Sequence, residues 1–549
     1  MTPDRRRIDL NMNELETILE QGRASLGEDG YNKLKAAIET LEYLTDLIGD
    51  KETTINRLRK IIFGANTEKT SDVLESLGAA IEKISIVSEP ENKEQAEEKK
   101  PKGHGRNGAN SYTGAERIKI GHESLKPGDC CPECLKGKVY GQKIPALIVR
   151  LVGRAPIGAT VYELEKLRCN LCGEVFTAAA PEGIGEEKYD GTAAGMIALL
   201  KYGSGFPFHR LQRLQDSMGI PLPASTQWGK VREVAGIVEP VYEELIRQAA
   251  QGEVLYNDDT VMRILELMKR RPKPELMESA EDEKERTGIF TSGIVSTKDG
   301  RAMALFFTGT QYAGENLGDV LKKRAQELGP PIHMCDGLLS RNLPKEFETI
   351  LANCIAHARR GFIDLASQFP EECRYVLETF RDVYKNDAVA NERGMSPEER
   401  LAFHQAETGP LLEKFETWLK EQIAEKKVEP NSGIGQAISY VKNHWRPLTL
   451  FLRVPGAPLD NNVCERALKK AILHRKGSLF YKTKNGAHVG DLFMSLIHTC
   501  QLCKADPFAY LVELQRHAEE LACAPQNWMP WNYYETLAQP DQPRAAPPC

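Results

Sequence analysis

The sequence predicts a multidomain α/β protein organised around a mixed-sheet domain with a long helical insertion. Three observations lead to that reading. Between Glu253 and Ala356, three short apolar runs are followed by a helix near 314–328 and two more apolar runs, as a mixed α/β sheet requires. Upstream, two Cys-x-x-Cys pairs mark a small metal-binding module. Further upstream still, apolar residues recur at heptad spacing, as in a helix that associates with another. A chain of 549 residues also exceeds one ordinary domain.

The expected organisation is an N-terminal helical and coiled-coil region over 1–85 and a linker over 86–118. A four-cysteine, zinc ribbon-like module follows over 119–186, then a helical, helix-turn-helix-like DNA-binding region over 187–250. The mixed-sheet domain spans 251–490 with its helical insertion at 362–450, and a C-terminal helix and loose tail fill 491–549.

In the first region Leu34, Leu41, Ile48, Ile55 and Ile62 stand seven apart. Ala37, Leu44 and Leu58 fill the companion positions, with Lys51 breaking the series. This seam favours self-association; an amphipathic helix packed within its own domain is the alternative. The linker crowds Glu and Lys between Glu89 and Lys100 before a glycine-rich basic stretch, with too little apolar material to offset chain entropy.

The pairs Cys131-Pro-Glu-Cys134 and Cys169-Asn-Leu-Cys172 each set two thiolates on one tight turn, and together they complete a tetrahedron for a structural Zn²⁺. Cys130 is a spare thiol beside them. After Leu211 a helix breaks at Gly219-Ile-Pro-Leu-Pro, and a second opens near Ser225, a plausible N-cap. The pattern fits a helix-turn-helix, and equally a plain helical hairpin.

In the sheet domain the first strand, Glu253-Val-Leu-Tyr-Asn, is expected to end at Asp258, and the fourth, Pro331-Ile-His-Met-Cys, at Asp336. Carboxylates emerging together at a sheet edge form a hard oxygen site that selects Mg²⁺ or Mn²⁺. Glu465 is the third candidate, in the early turns of a helix that Asp460 is expected to cap. Behind it run Arg466, Lys469, Lys470, Arg475, Lys476, Lys482 and Lys484, with no acid between 466 and 490: a stripe suited to phosphates. Each residue also has a plainer reading. Asp336-Gly337 is an ordinary turn pair, and Glu465 can simply pair with Lys469. Trp418, Tyr440 and Trp445 are core candidates of the insertion, and the proline-rich chain after Ala522 reads as loose.

These residues, taken together, resemble the insertion sequence 66 family of transposases over nearly the whole chain. Ile62-Phe-Gly-Ala-Asn-Thr-Glu-Lys is similar to the family's FG-x-x-SE-K stretch, and Lys201-Tyr202 followed by Pro207 and Arg210 to its KY…P-x-x-R stretch. Asp258-Asp-Thr resembles D-E-T, and Asp336-Gly resembles D-G-Y. Asp460-Asn-Asn-x-x-Glu465-Arg466 resembles D-N-N-x-x-E-R, and Cys354-x-x-His357-x-Arg359-Arg360 resembles C-x-x-H-x-R-R. Tyr256-Asn257, Asp259 and Leu338 depart from the usual neighbours, without removing a candidate ligand.

The resemblance implies an RNase H-like DDE domain with Asp258, Asp336 and Glu465 as catalytic residues binding two Mg²⁺ (or Mn²⁺) ions. It implies metal-dependent cleavage at insertion-sequence ends and strand transfer into target DNA. The expected DNA contacts are Arg466, Lys469, Lys470, Arg475, Lys476, His357, Arg359 and Arg360, with a core role as the alternative for His357. Expected partners are the terminal inverted repeats, target DNA, a second copy of the chain and accessory element proteins. A net charge of −6 excludes a uniformly basic binder, so DNA contact must come from local patches. With no long apolar run and scattered single cysteines, a cytoplasmic, nucleoid-associated protein is expected, with no membrane span.

Overall fold

A computed structural model describes residues 155–168, 175–179, 188–269, 288–337 and 343–538, with 31, 35, 181 and scattered positions between 126 and 139. The heptad region (apart from 31 and 35), the linker, Leu338, and Cys131, Cys134, Cys169 and Cys172 lie outside the described residues. Either side of Cys169 and Cys172 in sequence, β1 (Lys166–Arg168) and β2 (Val175–Thr177) pair antiparallel.

The chain divides into two compact units. One comprises Met1–Val87, Ala358–Met395 and Phe403–Lys442; the other comprises Ser88–His357, Ser396–Ala402 and Asn443–Cys549.

The second unit contains the sheet. It runs β5-β4-β3-β6-β7, formed by β3 (Val254–Val261), β4 (Phe290–Lys298), β5 (Arg301–Gly309), β6 (Ile332–Cys335) and β7 (Ile350–Asn353). The first three are antiparallel neighbours, whereas β6 and β7 run parallel to β3. The mixed sheet therefore emerges as the sequence led one to expect. The β4–β5 hairpin turns on Asp299 (φ 49°) and Gly300 (φ 72°), both left-handed, which suits the twist of a two-residue Asp-Gly hairpin. One expectation shifts: β3 does not stop at Asp258 but continues against β4 to Val261, because Asp258 still pairs with Gly293.

Helices cover both the sheet and its edge. Before it come α1 (Gly191–Ala198), a π-helical turn (Leu199–Gly203), α2 (Phe208–Ser217) and α3 (Ala224–Ala249). Ser225 does not cap α3, which begins one residue earlier behind Pro223. The break after α2 is held instead by Gln227, whose buried amide donates to the Leu222 and Phe208 carbonyls. Val231, Val234, Val238, Val241, Tyr242 and Leu245 of α3 are buried, so this helix is largely a core element. After β3 comes the short α4 (Leu265–Lys269), and α5 (Ala313–Leu321) follows β5. The helix α6 (Ile355–Leu365) leaves β7 directly.

The other unit is helical where it is described, as expected of the insertion. It holds α7 (Pro370–Glu392), the end of α8 (Pro397–Glu407), α9 (Gly409–Ala424) and all but the last residue of α10 (Gly433–Asn443). Its packing centre is Phe380 and Phe415, rings 5.5 Å apart and edge-to-face. Trp418 and Tyr440 are only half-buried, and so is Trp445 in the sheet-bearing unit. The short α11 (Trp445–Leu448) then leads into α12 (Asn462–Ser478) and α13 (Lys484–Leu502).

The chain after Ala522 is not loose as far as Ala538. Beyond α14 (Pro507–Arg516) and α15 (Ala518–Cys523), Trp528, Met529 and Tyr533 are fully buried; Tyr533 opens α16 (Tyr533–Leu537), and the Tyr510 hydroxyl donates to the Trp528 carbonyl at 2.7 Å. Three large apolar side chains outweigh the prolines around them.

Candidate active site

Asp258 lies on β3 just beyond the point where β3 and β6 stop pairing. Asp336 is the first residue after β6, and Glu465 sits in the first turn of α12. Parallel β6 therefore brings Asp336 beside Asp258, and α12 brings Glu465 over them. The electrostatics record the convergence. Burial pushes the Asp258 carboxyl up to about 7, and the neighbouring charges of Asp336, Glu465 and Asp259 all add to the rise. The backbone N–H of Asp259 donates to Asp258 at 2.8 Å and only partly offsets this. The structure thus brings Asp336 and Glu465 near enough for their charges to act on Asp258.

Asp259 points into a different environment. Its two oxygens accept from Ser292 Oγ (2.6 Å) and the Ala313 N–H (2.8 Å) at the start of α5. Both are in use, so Asp259 ties β3 to β4 and α5.

Several contacts fix α12. Asn461, fully buried, donates from Nδ2 to the Asn257 carbonyl of β3 (2.9 Å), and its own N–H donates to Cys354 Sγ (3.2 Å). Asn461 occupies the N-cap position, and Asp460 instead closes a local turn by accepting the Asn462 N–H at 3.0 Å. At the far end Tyr481 and Arg263 pair through their backbones, and Arg475 Nη1 donates to Thr260 Oγ1 (3.2 Å). Between these pins Gly293, opposite Asp258, lets α12 lie close: a Cβ there would meet Leu468 at 3.0 Å and Cys464 Sγ at 3.5 Å.

The Lys201-Tyr202 pair supports the same helix. Lys201 Nζ donates to Ser478 Oγ in the last turn at 2.6 Å, where a cation suits the helix dipole. Burial lowers its ammonium to about 8. Tyr202 stacks between His474 and Phe493, and His474 stacks on Tyr481. Sequence reasoning assigned no roles to Asn461, Gly293, Lys201 or Tyr202. The motifs containing three of them were visible, but the contacts they make were not.

His357 lies on the first turn of α6, with Nδ1 3.6 Å from Glu465 Oε1. That places it beside the carboxylate cluster. Arg359 and Arg360 are half-buried further along α6. Of the stripe, Arg466, Lys469 and Lys476 are exposed, Lys470 is half-buried, and Arg475 is engaged at the end of β3.

Residues 189–489 match the model of the "Transposase IS66 family". The chain belongs to that family, and DNA transposition is the activity the family implies. Two relatives in Sinorhizobium fredii are similar over most of their lengths. "Uncharacterized protein y4hP" is 24% identical over 525 residues, covering 89% of each chain. "Uncharacterized protein y4jD" is 24% identical over 520 residues, covering 90% of this chain and 96% of its own. No helix among the described residues is long and apolar enough to cross a membrane.

Proposed function

We propose that this IS66-family transposase cuts DNA at the ends of its insertion sequence and joins the freed ends to target DNA, using Asp258, Asp336 and Glu465 as its metal-binding residues. The observation that carries the proposal is the nearness of Asp336 and Glu465 to Asp258, whose carboxyl is driven up to about 7 by burial and further by their charges. Glu465 Oε1 is buried without a hydrogen-bond partner. A cluster of this kind suits a divalent cation, and oxygen-only donors suit Mg²⁺ or Mn²⁺. The sheet order, three antiparallel strands followed by two parallel ones, supports an RNase H-like reading of the domain.

When bound, two such ions stabilise the attacking and leaving oxygens of an in-line phosphodiester displacement. The chain's own residues do the rest. Asp258 must release its proton for cation binding, so affinity for the ion rises with pH through about 7. Asn461 and Gly293 hold Glu465 over Asp258, and Asp259 keeps β3, β4 and α5 in register. Arg466, Lys469, Lys470 and Lys476 line the helix behind Glu465 and give the DNA backbone its cationic partner. Arg359 and Arg360 would contact phosphates from α6, and Cys131, Cys134, Cys169 and Cys172 would hold a structural Zn²⁺. Pairing two element ends calls for at least two subunits, which the heptad region would supply.

The test is cleavage and strand transfer on the element's own terminal repeats with Mg²⁺. Wild-type protein should cut, while Asp258→Asn, Asp336→Asn and Glu465→Gln should each lose at least about a hundredfold in rate yet still bind the ends. Full activity in any one of the three would remove that residue from the reaction.

A further inference from the structure

Beside the oxygen-only cluster lies a set of donors of a different character. Cys354 is the first residue after β7, His357 stands three residues later in the first turn of α6, and Glu465 faces both from α12. One ligand atom from each, Sγ, an imidazole nitrogen and a carboxylate oxygen, lie within 4.8 Å of one another. His357 Nδ1 and Glu465 Oε1 are 3.6 Å apart, too far for a good hydrogen bond. Both atoms are buried with no hydrogen-bond partner. Buried polar atoms are seldom left in that state, and two facing each other call for an occupant between them.

The 3.6 Å between His357 Nδ1 and Glu465 Oε1 fits one. Zn²⁺ bonds of about 2.0–2.3 Å in a tetrahedron hold neighbouring donor atoms about 3.3–3.7 Å apart. Cys354 Sγ already accepts the Asn461 N–H at 3.2 Å, a contact of the sort that stabilises a metal-bound thiolate. Thiolate, imidazole and carboxylate together select Zn²⁺ over Mg²⁺, which prefers oxygen throughout.

We propose that Cys354, His357 and Glu465 form a site for a thiophilic cation of the Zn²⁺ type, and that it shares Glu465 with the Mg²⁺ site, so that filling one disables the other. The inhibitory consequence rests on the reading of Glu465 given above; the binding itself does not. On binding, the Cys354 S–H bond breaks, the thiolate joins the metal and the proton passes to water. No electron changes hands. Water can complete the tetrahedron, since Glu465 and His357 are each about one-quarter exposed.

The experiment uses the full reduced chain with Co²⁺ and Zn²⁺ as probes. In a cobalt titration, wild type should bind one more ion than Cys354→Ser and show additional thiolate-to-cobalt absorption above that of the other cysteines. His357→Ala keeps the thiol but should weaken the same increment at least about tenfold, which guards against a misfolded Cys354 variant. In the Mg²⁺-supported cleavage assay, Zn²⁺ should inhibit wild type at concentrations at least about tenfold lower than either variant, each compared with its own zinc-free rate. Extra Mg²⁺ should raise the zinc required.

Equal cobalt stoichiometry and absorption in wild type and Cys354→Ser would overturn the site. Equal zinc sensitivity would overturn the sharing of Glu465. If no protein cleaves DNA, the transposition reading fails, and the cobalt titration still decides whether the site exists.

Discussion

At Asp258, burial and three neighbouring carboxylates favour the protonated acid up to about pH 7, against an ordinary value of 3.8. The folded chain therefore binds more protons than the unfolded chain between those values. Stability of the metal-free protein must fall as pH rises from about 4 to 7, since the slope follows the difference in bound protons. Asp258→Asn removes this term, so its melting temperature should exceed that of wild type at pH 8, with the gap closing toward pH 4. Mg²⁺ should raise the wild-type melting temperature at pH 8 and leave that of Asp258→Asn nearly unchanged. A variant no more stable than wild type at pH 8 would show that the carboxylate is not crowded. A second residue is strained through its backbone. Leu479 follows α12 with φ 69°, a left-handed conformation that disfavours any residue with a Cβ, and its side chain is 63% exposed. Little burial is lost on truncation, so Leu479→Gly should stabilise the protein by about 1 kcal/mol in urea unfolding.

At the scale of elements, the position of Glu465 depends on how closely α12 approaches β3 and β4. Gly293→Val would drive a side chain into Leu468 and Cys464, lifting the helix from the strand that bears Asp258. Mg²⁺-dependent cleavage should then drop at least about tenfold while DNA binding persists, and Leu468→Ala in the same chain should restore part of the loss, because contacting residues couple. A Gly293→Val protein of normal rate would mean the spacing is unimportant. The opposite edge of the sheet is protected by α13. Thr499 Oγ1, Ser495 Oγ and Asp491 Oδ2, spaced four residues apart, accept the N–H groups of Ala304, Phe306 and Thr308 along β5. Those edge groups would otherwise be free to pair with another strand. Ser495→Ala leaves the Phe306 N–H buried and unsatisfied, and should cost about 1–3 kcal/mol in denaturant unfolding. None of this could be read beforehand. Asp491, Ser495 and Thr499 look like isolated polar residues in an apolar helix until the strand they cover is known, and so residue 490 looked like a boundary when it lies inside α13.

For the whole molecule, what was legible follows from which signals are local. Alternating apolar runs gave the five strands, and the acids adjoining two of them sat where parallel pairing brings strand ends together. Glu465 is distant in sequence, and only the D-N-N-x-x-E-R motif singled it out. Its placement needed tertiary contacts from Asn461, Gly293 and Tyr481 that no periodicity encodes. The burial of Trp528 and Tyr533 was missed for the same reason: the prolines nearby were local, and the surfaces that receive the rings were not. Charge behaves in a comparable way. With 78 acids against 72 Lys and Arg, the chain as a whole repels DNA, and attraction must arise where cations cluster within a screening length of about 10 Å at 0.1 M salt. The exposed Lys469, Lys476 and Lys482 stand in a segment free of acids. Each phosphate neutralised by such a lysine releases counterions and contributes about −0.9 to the slope of log affinity against log salt. Replacing the three with Gln should therefore flatten that slope by about one unit per lysine in contact, nearly equally for terminal-repeat and unrelated DNA. Fluorescence anisotropy across a salt series reads this directly. An unchanged slope would move the DNA path off α12, whereas a loss confined to the terminal repeats would make these lysines readers of sequence instead of backbone.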